Sequence, residues 1–161
     1  MANSKDDDVW KRPDWMARAG VLLASFRRRL GRDLLERSGD AVEDARRLFE
    51  APFVVVAHGT EADPILNYGN RTTLKLWETD VARLTQMPSR LTAQAPERAE
   101  RAQLLERTAR DGFVDDYRGV RITSTGRRFL IDRAIVWNVD DDAGSRLGQA
   151  ATFDHWTFLS L

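Results

Sequence analysis

Apolar residues recur at steps of three and four from Asp14 onward. Trp15, Ala19, Leu22, Phe26, Leu30 and Leu34 fall on one stripe, with Arg18, Arg28, Arg29 and Arg32 opposite. This spacing predicts an amphipathic helix over 14–34. A second helix is predicted from Asp40, a capping residue. Glu43 completes a capping-box pattern, Val42, Ala45, Leu48 and Phe49 form the apolar side, and Pro52 ends the helix. The period then changes. Residues 53–57 are a continuous apolar, β-branched run that predicts a strand buried on both faces, closed by His58 and Gly59. A second short strand follows over 65–68 and is broken at Gly69. Asn70 stands as N-cap of a helix carrying Leu74, Leu76 and Trp77.

Residues 78–95 read as short helical turns punctuated by Pro88. From Pro96 a longer helix runs to Gly112, with Ala102, Leu105 and Ala109 toward the sheet and Glu97–Arg101 and Glu106–Arg110 as favourable surface pairs. The last third predicts an antiparallel meander with strands over 117–123, 127–139 and 147–156. In the long strand Phe129, Ile131, Ile135, Trp137 and Val139 share one parity, and so does Arg133. A bulge that turns Arg133 outward, or exposure at an edge, is favoured over an inward arginine meeting an anion, because a buried unpaired guanidinium is costly. In the final strand Gln149 and His155 lie on the interior face with Phe153. Each is read first as satisfying a buried partner and second as a ligand contact.

The order of the central elements, FVVV over 53–56 and then ILNYGN over 65–70 leading into LKLW over 74–77, resembles the opening of a PAS domain. The segments 58–64 (HGTEADP), 88–92 (PSRLT), 111–113 (DGF), 125–129 (TGRRF) and 155–158 (HWTF) narrow the resemblance to the MEKHLA branch of PAS-like domains. That branch includes small bacterial proteins and the C-terminal part of plant class III homeodomain-leucine zipper factors. The resemblance implies an α+β fold: a PAS-like five-stranded antiparallel sheet with helices over 70–112 packed on one face, plus an N-terminal helical extension. The organisation expected is a disordered tail over 1–13, a helical extension over 14–50 and the PAS-like (MEKHLA) domain over 52–161. The resemblance also makes 78–95 one wall of a ligand cavity. The residues expected at that cavity are Val56, His58, Asn70, Leu74, Trp77, Ile131, Arg133, Ile135, Gln149, Phe153 and His155.

Composition limits the chemistry. Twenty-five basic and twenty-five acidic residues cancel, which argues against a nucleic-acid binder that neutralises many phosphates. The chain has no cysteine, which removes disulfides and thiolate metal sites and fits a cytoplasmic setting. No apolar run approaches the roughly 18 residues of a membrane span. With two histidines and no ligand spacing, no metal site is expected. Haem-binding PAS domains draw a histidine from the region that here spans 81–112, which has none. The flavin photochemistry of light-sensing members needs a cysteine, so neither cofactor is expected.

Two classes of function follow. The first is a stand-alone PAS-like sensory or interaction module that binds a small molecule or a protein and signals through changed contacts. The second is a small cone-shaped α+β (NTF2-like) enzyme using Asp154 and His155 as an acid–base pair, disfavoured because adjacent strand residues point to opposite faces. The arginine run 27–29 is read as a solvated helix face, with contact to an acidic partner as the alternative. The helix over 14–34 is expected to form a homodimer interface, with capping of its own sheet as the competing possibility.

Overall fold

The computed structural model describes residues 4–160. Helices α1 (Pro13–Leu30) and α2 (Ala41–Glu50) precede β1 (Val54–His58), β2 (Leu66–Gly69), α3 (Arg71–Trp77), the single turn α4 (Val81–Leu84) and α5 (Ala95–Asp111). Strands β3 (Phe113–Ile122), β4 (Arg128–Asp140), β5 (Arg146–Phe153) and β6 (His155–Phe158) complete the chain. All pairings are antiparallel, in the order β2-β1-β5-β4-β3. The five expected strands are present, and a bend at Asp154 turns the end of the last into a sixth, which pairs with the first part of β4.

Both faces of the sheet are covered. Val54, Val114, Ile131, Ala134, Val136 and Phe153 pack with Leu76 and Trp77 of α3 and Leu104 of α5. Val55, Ala57, Trp137, Val139 and Ala150 pack with α1 and α2 on the other side. Alternation along each strand produces this division, because successive side chains point to opposite faces. Helix α5 and the Leu76–Trp77 end of α3 therefore sit on one face as expected, and the N-terminal pair covers the other, where Leu74 of α3 and Val81 and Leu84 of α4 join its core.

The apolar stripe of α1 is consumed within its own chain. Trp15, Leu22 and Phe26 are at most 2% exposed. Phe26 meets Trp137 edge-on with centroids 5.0 Å apart, and the Trp137 indole donates to Ser25 Oγ at 3.1 Å. This overturns the premise of a homodimer through the stripe: the face needed for a partner already caps the sheet. The arginine run is likewise not merely solvated. Arg28 reaches Asp140 Oδ1 at 3.1 Å, and Arg29 bonds the other carboxylate oxygen. The helix stops at Leu30, short of 34, because Gly31 takes a left-handed conformation (φ 76).

Other expectations need correction. The tail expected to be disordered is ordered over 4–13: Val9 and Trp10 are buried, and Asp6 accepts from the Val81 amide at 3.1 Å. Met1, Ala2 and Asn3 lie outside the described residues. Asp40 caps α2, but Glu43 turns to Arg46 and Arg47 (2.7 and 2.9 Å) and does not complete the capping box, while Val42 is exposed. Helix α5 turns Leu104 and Thr108 inward, leaving Ala102 and Ala109 outside.

Two backbone irregularities decide which way side chains point. Arg133 is exposed with φ 56, and the β3–β4 register shifts beside it, so β4 turns over between Ile131 and Ala134. Gly148 (φ 150) lies against β1, where an added Cβ would stand 1.8 Å from the His58 carbonyl oxygen.

Two outcomes are expected. A chain starting at Gly39 exposes Trp137 and its neighbours, so it will aggregate or lose cooperative unfolding. A soluble, cooperatively folding monomer in light scattering and thermal melts would show that α1 is dispensable. Gly148→Ala should destabilise the fold by about 3 kcal/mol, a strained conformation and a steric clash together; an unchanged urea midpoint would contradict the register.

Candidate ligand cavity

Between the sheet and helices α3 and α5 lies a cavity of about 70 Å³. Its floor is the inner face of four strands: Val56 and His58 from β1, Gln149, Ala151 and Phe153 from β5, Ile131, Ala134 and Val136 from β4, and Tyr117 and Arg121 from β3. Its roof is Trp77 of α3, Ser89 and Thr92 of the 3-10 turn Ser89–Thr92, and Arg101, Leu104 and Leu105 of α5. The walls are predominantly apolar, and the polar groups converge from different elements.

His58 Nδ1 lies 3.0 Å from the carbonyl oxygen of Gly59, while its Nε2 is buried with no partner. A neutral ring that donates from Nδ1 presents Nε2 as an acceptor. Burial, and then the nearby Arg101 charge, hold the His58 pKa below its ordinary value against the opposing bond to Gly59. Arg101 donates to Ser89 Oγ at 2.5 Å, and its pKa falls to about 10 through burial and the proximity of Arg121. Arg121 is 7% exposed, donates to its neighbour's carbonyl (Val120) at 2.9 Å and lies over the Tyr117 ring at 5.3 Å. The Tyr117 hydroxyl donates to Glu100 at 3.0 Å, and burial raises its pKa. Gly119, between the two on β3, leaves space for that hydroxyl: a Cβ there would stand 2.0 Å from it. Gln149 Nε2 donates to the Leu105 carbonyl at 2.9 Å and to Asn138 Oδ1 at 3.2 Å, tying α5 to the sheet.

Of the residues expected at the cavity, the structure brings together Val56, His58, Trp77, Ile131, Gln149 and Phe153. Five lie elsewhere. Asn70 is fully buried as the cap of α3 and is saturated by its own hydrogen bonds. Leu74 packs in the α1-side core. Arg133 points to solvent, and the same turn of β4 carries Ile135 to the α1 side, with Ala134 and Val136 in its place. His155 is exposed beyond the bend, where its Nδ1 pairs with the Asp154 carboxylate. That bend brings the candidate acid–base pair together after all, but on the open surface outside the cavity. Tyr117, Arg121, Arg101, Ser89 and Thr92 are the polar groups that sequence reasoning missed. For two of them a signal existed, since 117 and 121 share strand parity.

The cavity is far smaller than the roughly 300–1,000 Å³ of sites that enclose drug-sized ligands, so a macrocycle or an isoalloxazine would require its walls to part. Among the described residues, no group of three or more His, Cys, Asp or Glu is placed to hold a metal ion. No described helix is long and apolar enough to cross a membrane.

A five-strand core in this order, with an interior cavity roofed by helices, defines a PAS-like domain, and solved structures agree. The PAS domain of a protein from Colwellia psychrerythraea superposes with a TM-score of 0.60 at 9% identity, covering 68% of this chain and 91% of that one. An RNA-binding Light-Oxygen-Voltage receptor superposes with a TM-score of 0.59 at 15% identity, covering 76% of this chain and 36% of that one. Within this class the chain belongs to the MEKHLA domain family, whose profile matches residues 16–158 and so takes in α1 and α2 together with the sheet. Homeobox-leucine zipper protein HOX29 of Oryza sativa subsp. indica is 25% identical over 143 residues. The match covers 86% of this chain and 16% of HOX29, so the chain spans about a sixth of that relative's length.

The buried ring of His58 sets a pH dependence. Its folded pKa lies below the ordinary 6.5, so the unfolded chain takes up a proton first. Stability present above about pH 6.5 is therefore lost as pH falls through the folded value. The depressed carboxylates, such as Asp140 and Glu43, act at lower pH. The urea midpoint should fall between pH 7 and pH 5, and His58→Gln should flatten that fall. An unchanged slope in the variant would exclude His58 as its source.

Proposed function

We propose that this chain is a sensory module in which a small molecule entering the cavity changes how the sheet holds α1. The family and fold support the sensory class. The observation that carries the finer reading is that cavity and helix share the same strands, one residue apart. On β4, Val136 faces the cavity while Trp137 packs on Phe26 of α1. A ligand that shifts the floor by a fraction of an ångström therefore acts on the α1 contact surface through one thickness of backbone, since packed cores transmit strain. The roof supports entry. Among α5 residues only Leu104 and Thr108 are buried, so this wall is the lightly held one.

The reading gives the output to α1 and to whatever contacts its exposed face. In this it differs from a catalytic role, for which the exposed Asp154–His155 pair offers no enclosed site.

Native mass spectrometry of the chain purified from its own host tests the reading. The expected result is a stoichiometric small molecule that is lost in Ala151→Leu, which fills the cavity. Its addition to the stripped protein should change hydrogen exchange in α1 as well as in α5. A chain that carries no small molecule, and in which no added one alters α1 protection, would leave the sensory reading without its ligand.

A further inference from the structure

We propose that the cavity takes a small organic monocarboxylate, its anionic end held between Arg101 and Arg121 and its short apolar body against Trp77, Ile131 and Phe153. This rests on the ligand-binding reading above and adds the chemistry of the ligand.

Arg101 and Arg121 are the two arginines that line the cavity, and Arg121 is only 7% exposed. Many of the chain's arginines find carboxylates, among them Arg28 and Arg29 on Asp140, Arg37 on Asp44, Arg46 and Arg47 on Glu43, Arg71 on Asp7 and Arg90 on Asp63; of those that do not, Arg32, Arg133 and Arg146 are exposed, and Arg18 and Arg98 donate to backbone carbonyls. Arg101 and Arg121 have no carboxylate oxygen within 4.0 Å among the described residues. They line the cavity from opposite walls, α5 and β3, and the Arg121 charge disfavours that of Arg101. Nearby acids are occupied: Asp63 is held by Arg90 at 3.2 Å, Glu100 accepts from Tyr117 at 3.0 Å, and Glu61 accepts from the Ile65 amide at 3.1 Å. A guanidinium has five N–H donors; Arg101 uses one on Ser89, and Arg121 bonds the Val120 carbonyl and the Tyr117 hydroxyl, so both keep donors for a ligand. Burying two like charges without a counter-ion is unfavourable, and an anion between them relieves both desolvation and repulsion.

The remainder of the cavity selects among anions. A planar carboxylate matches the guanidinium fork with two oxygens. A phosphate would leave its further oxygens against Leu104, Ile131 and Val136. The volume of about 70 Å³ admits roughly five water-sized groups, which suits a short-chain acid. The unpartnered His58 Nε2 is a third polar atom, available to a hydroxyl on the acid or, protonated, to its carboxylate.

The test is calorimetric and NMR titration of the full chain with carboxylic acids of two to six carbons, the matching neutral amides, and inorganic phosphate. The acids should bind, with each amide at least about tenfold weaker, the loss expected when charged hydrogen bonds disappear. Arg121→Met and Arg101→Gln should each abolish the preference for acid over amide. The ligand-free Arg121→Met protein should melt no lower than the wild type, because the removed charge had no carboxylate partner and the thioether can still pack on the Tyr117 ring. Should Arg121→Met fail to fold, Arg101→Gln on the lightly held helix carries the comparison. Equal binding of acid and amide would overturn the anion assignment while leaving a ligand cavity. Binding of phosphate in place of the acids would overturn the carboxylate. No binding of any acid would overturn the assignment, whereas the ligand-binding reading falls only if the host-purified chain also carries no other small molecule.

Discussion

Strand β4 turns over once, at Arg133, and both functional faces of the sheet depend on that turn. In a regular strand Ile131 and Trp137 would point the same way. Here Ile131 lines the cavity and Trp137 receives α1, because Arg133 adopts φ 56 and carries its side chain into solvent. A non-glycine residue in that conformation costs on the order of 1–3 kcal/mol. Burial of Phe129 and Ile131 on one side and of Trp137 and Val139 on the other offsets it, since each large side chain removed from water stabilises by roughly 1.5–3 kcal/mol. An exposed arginine is well suited to the position, because a large apolar side chain there would lose its burial.

Polar latches hold the two layers with unequal firmness. Asn70 accepts from the amides of Thr73 and Val55 and donates to the carbonyls of Leu48 and Phe53, so one fully buried side chain joins α2, β1 and α3. Asp140 receives two arginines from α1. The roof of the cavity buries less: α5 is held by Gln149 to the Leu105 carbonyl, Asn138 to the Ala109 carbonyl at 3.3 Å, Tyr117 to Glu100 at 3.0 Å and the exposed pair Arg107–Asp116, and only two of its side chains are buried. The stability of the fold is thus concentrated on the α1 side, and freedom to adapt is left on the α5 side.

Much of this was legible in the pattern of residues. The α1 stripe, the Asn70 cap, the strand runs and a bulge at Arg133 all follow from period and local chemistry. What was not legible is the consequence of each irregularity for its neighbours. The turn at Arg133 moves Ile135 off the cavity and brings in Ala134 and Val136, and the bend at Asp154 takes His155 out to solvent. Whether the α1 stripe met its own sheet or another chain was equally beyond periodicity, since either partner satisfies it. Arg101 was missed for a different reason. At four residues from Glu97 it matches a surface ion pair, yet it turns inward to Ser89 while Glu97 lies 4.0 Å from Arg128. Local spacing says which residues can meet, and the tertiary field decides which do.

That field leaves two positive charges together in a chain whose charges balance, 25 against 25 with these two included, so their lack of a carboxylate partner reflects placement and not scarcity. Without an anion, the least costly response is to hydrate them, and α5 is the wall that can part to admit water because so little of it is buried. On the proposal made above, the loosening that relieves the empty site is also the way in. An anion that replaces the water draws the roof back toward β3, so occupancy and the order of α5 become one equilibrium. Ligand then stabilises the closed state by mass action, with a differential affinity that comes from the same two guanidinium groups that make the empty state unfavourable.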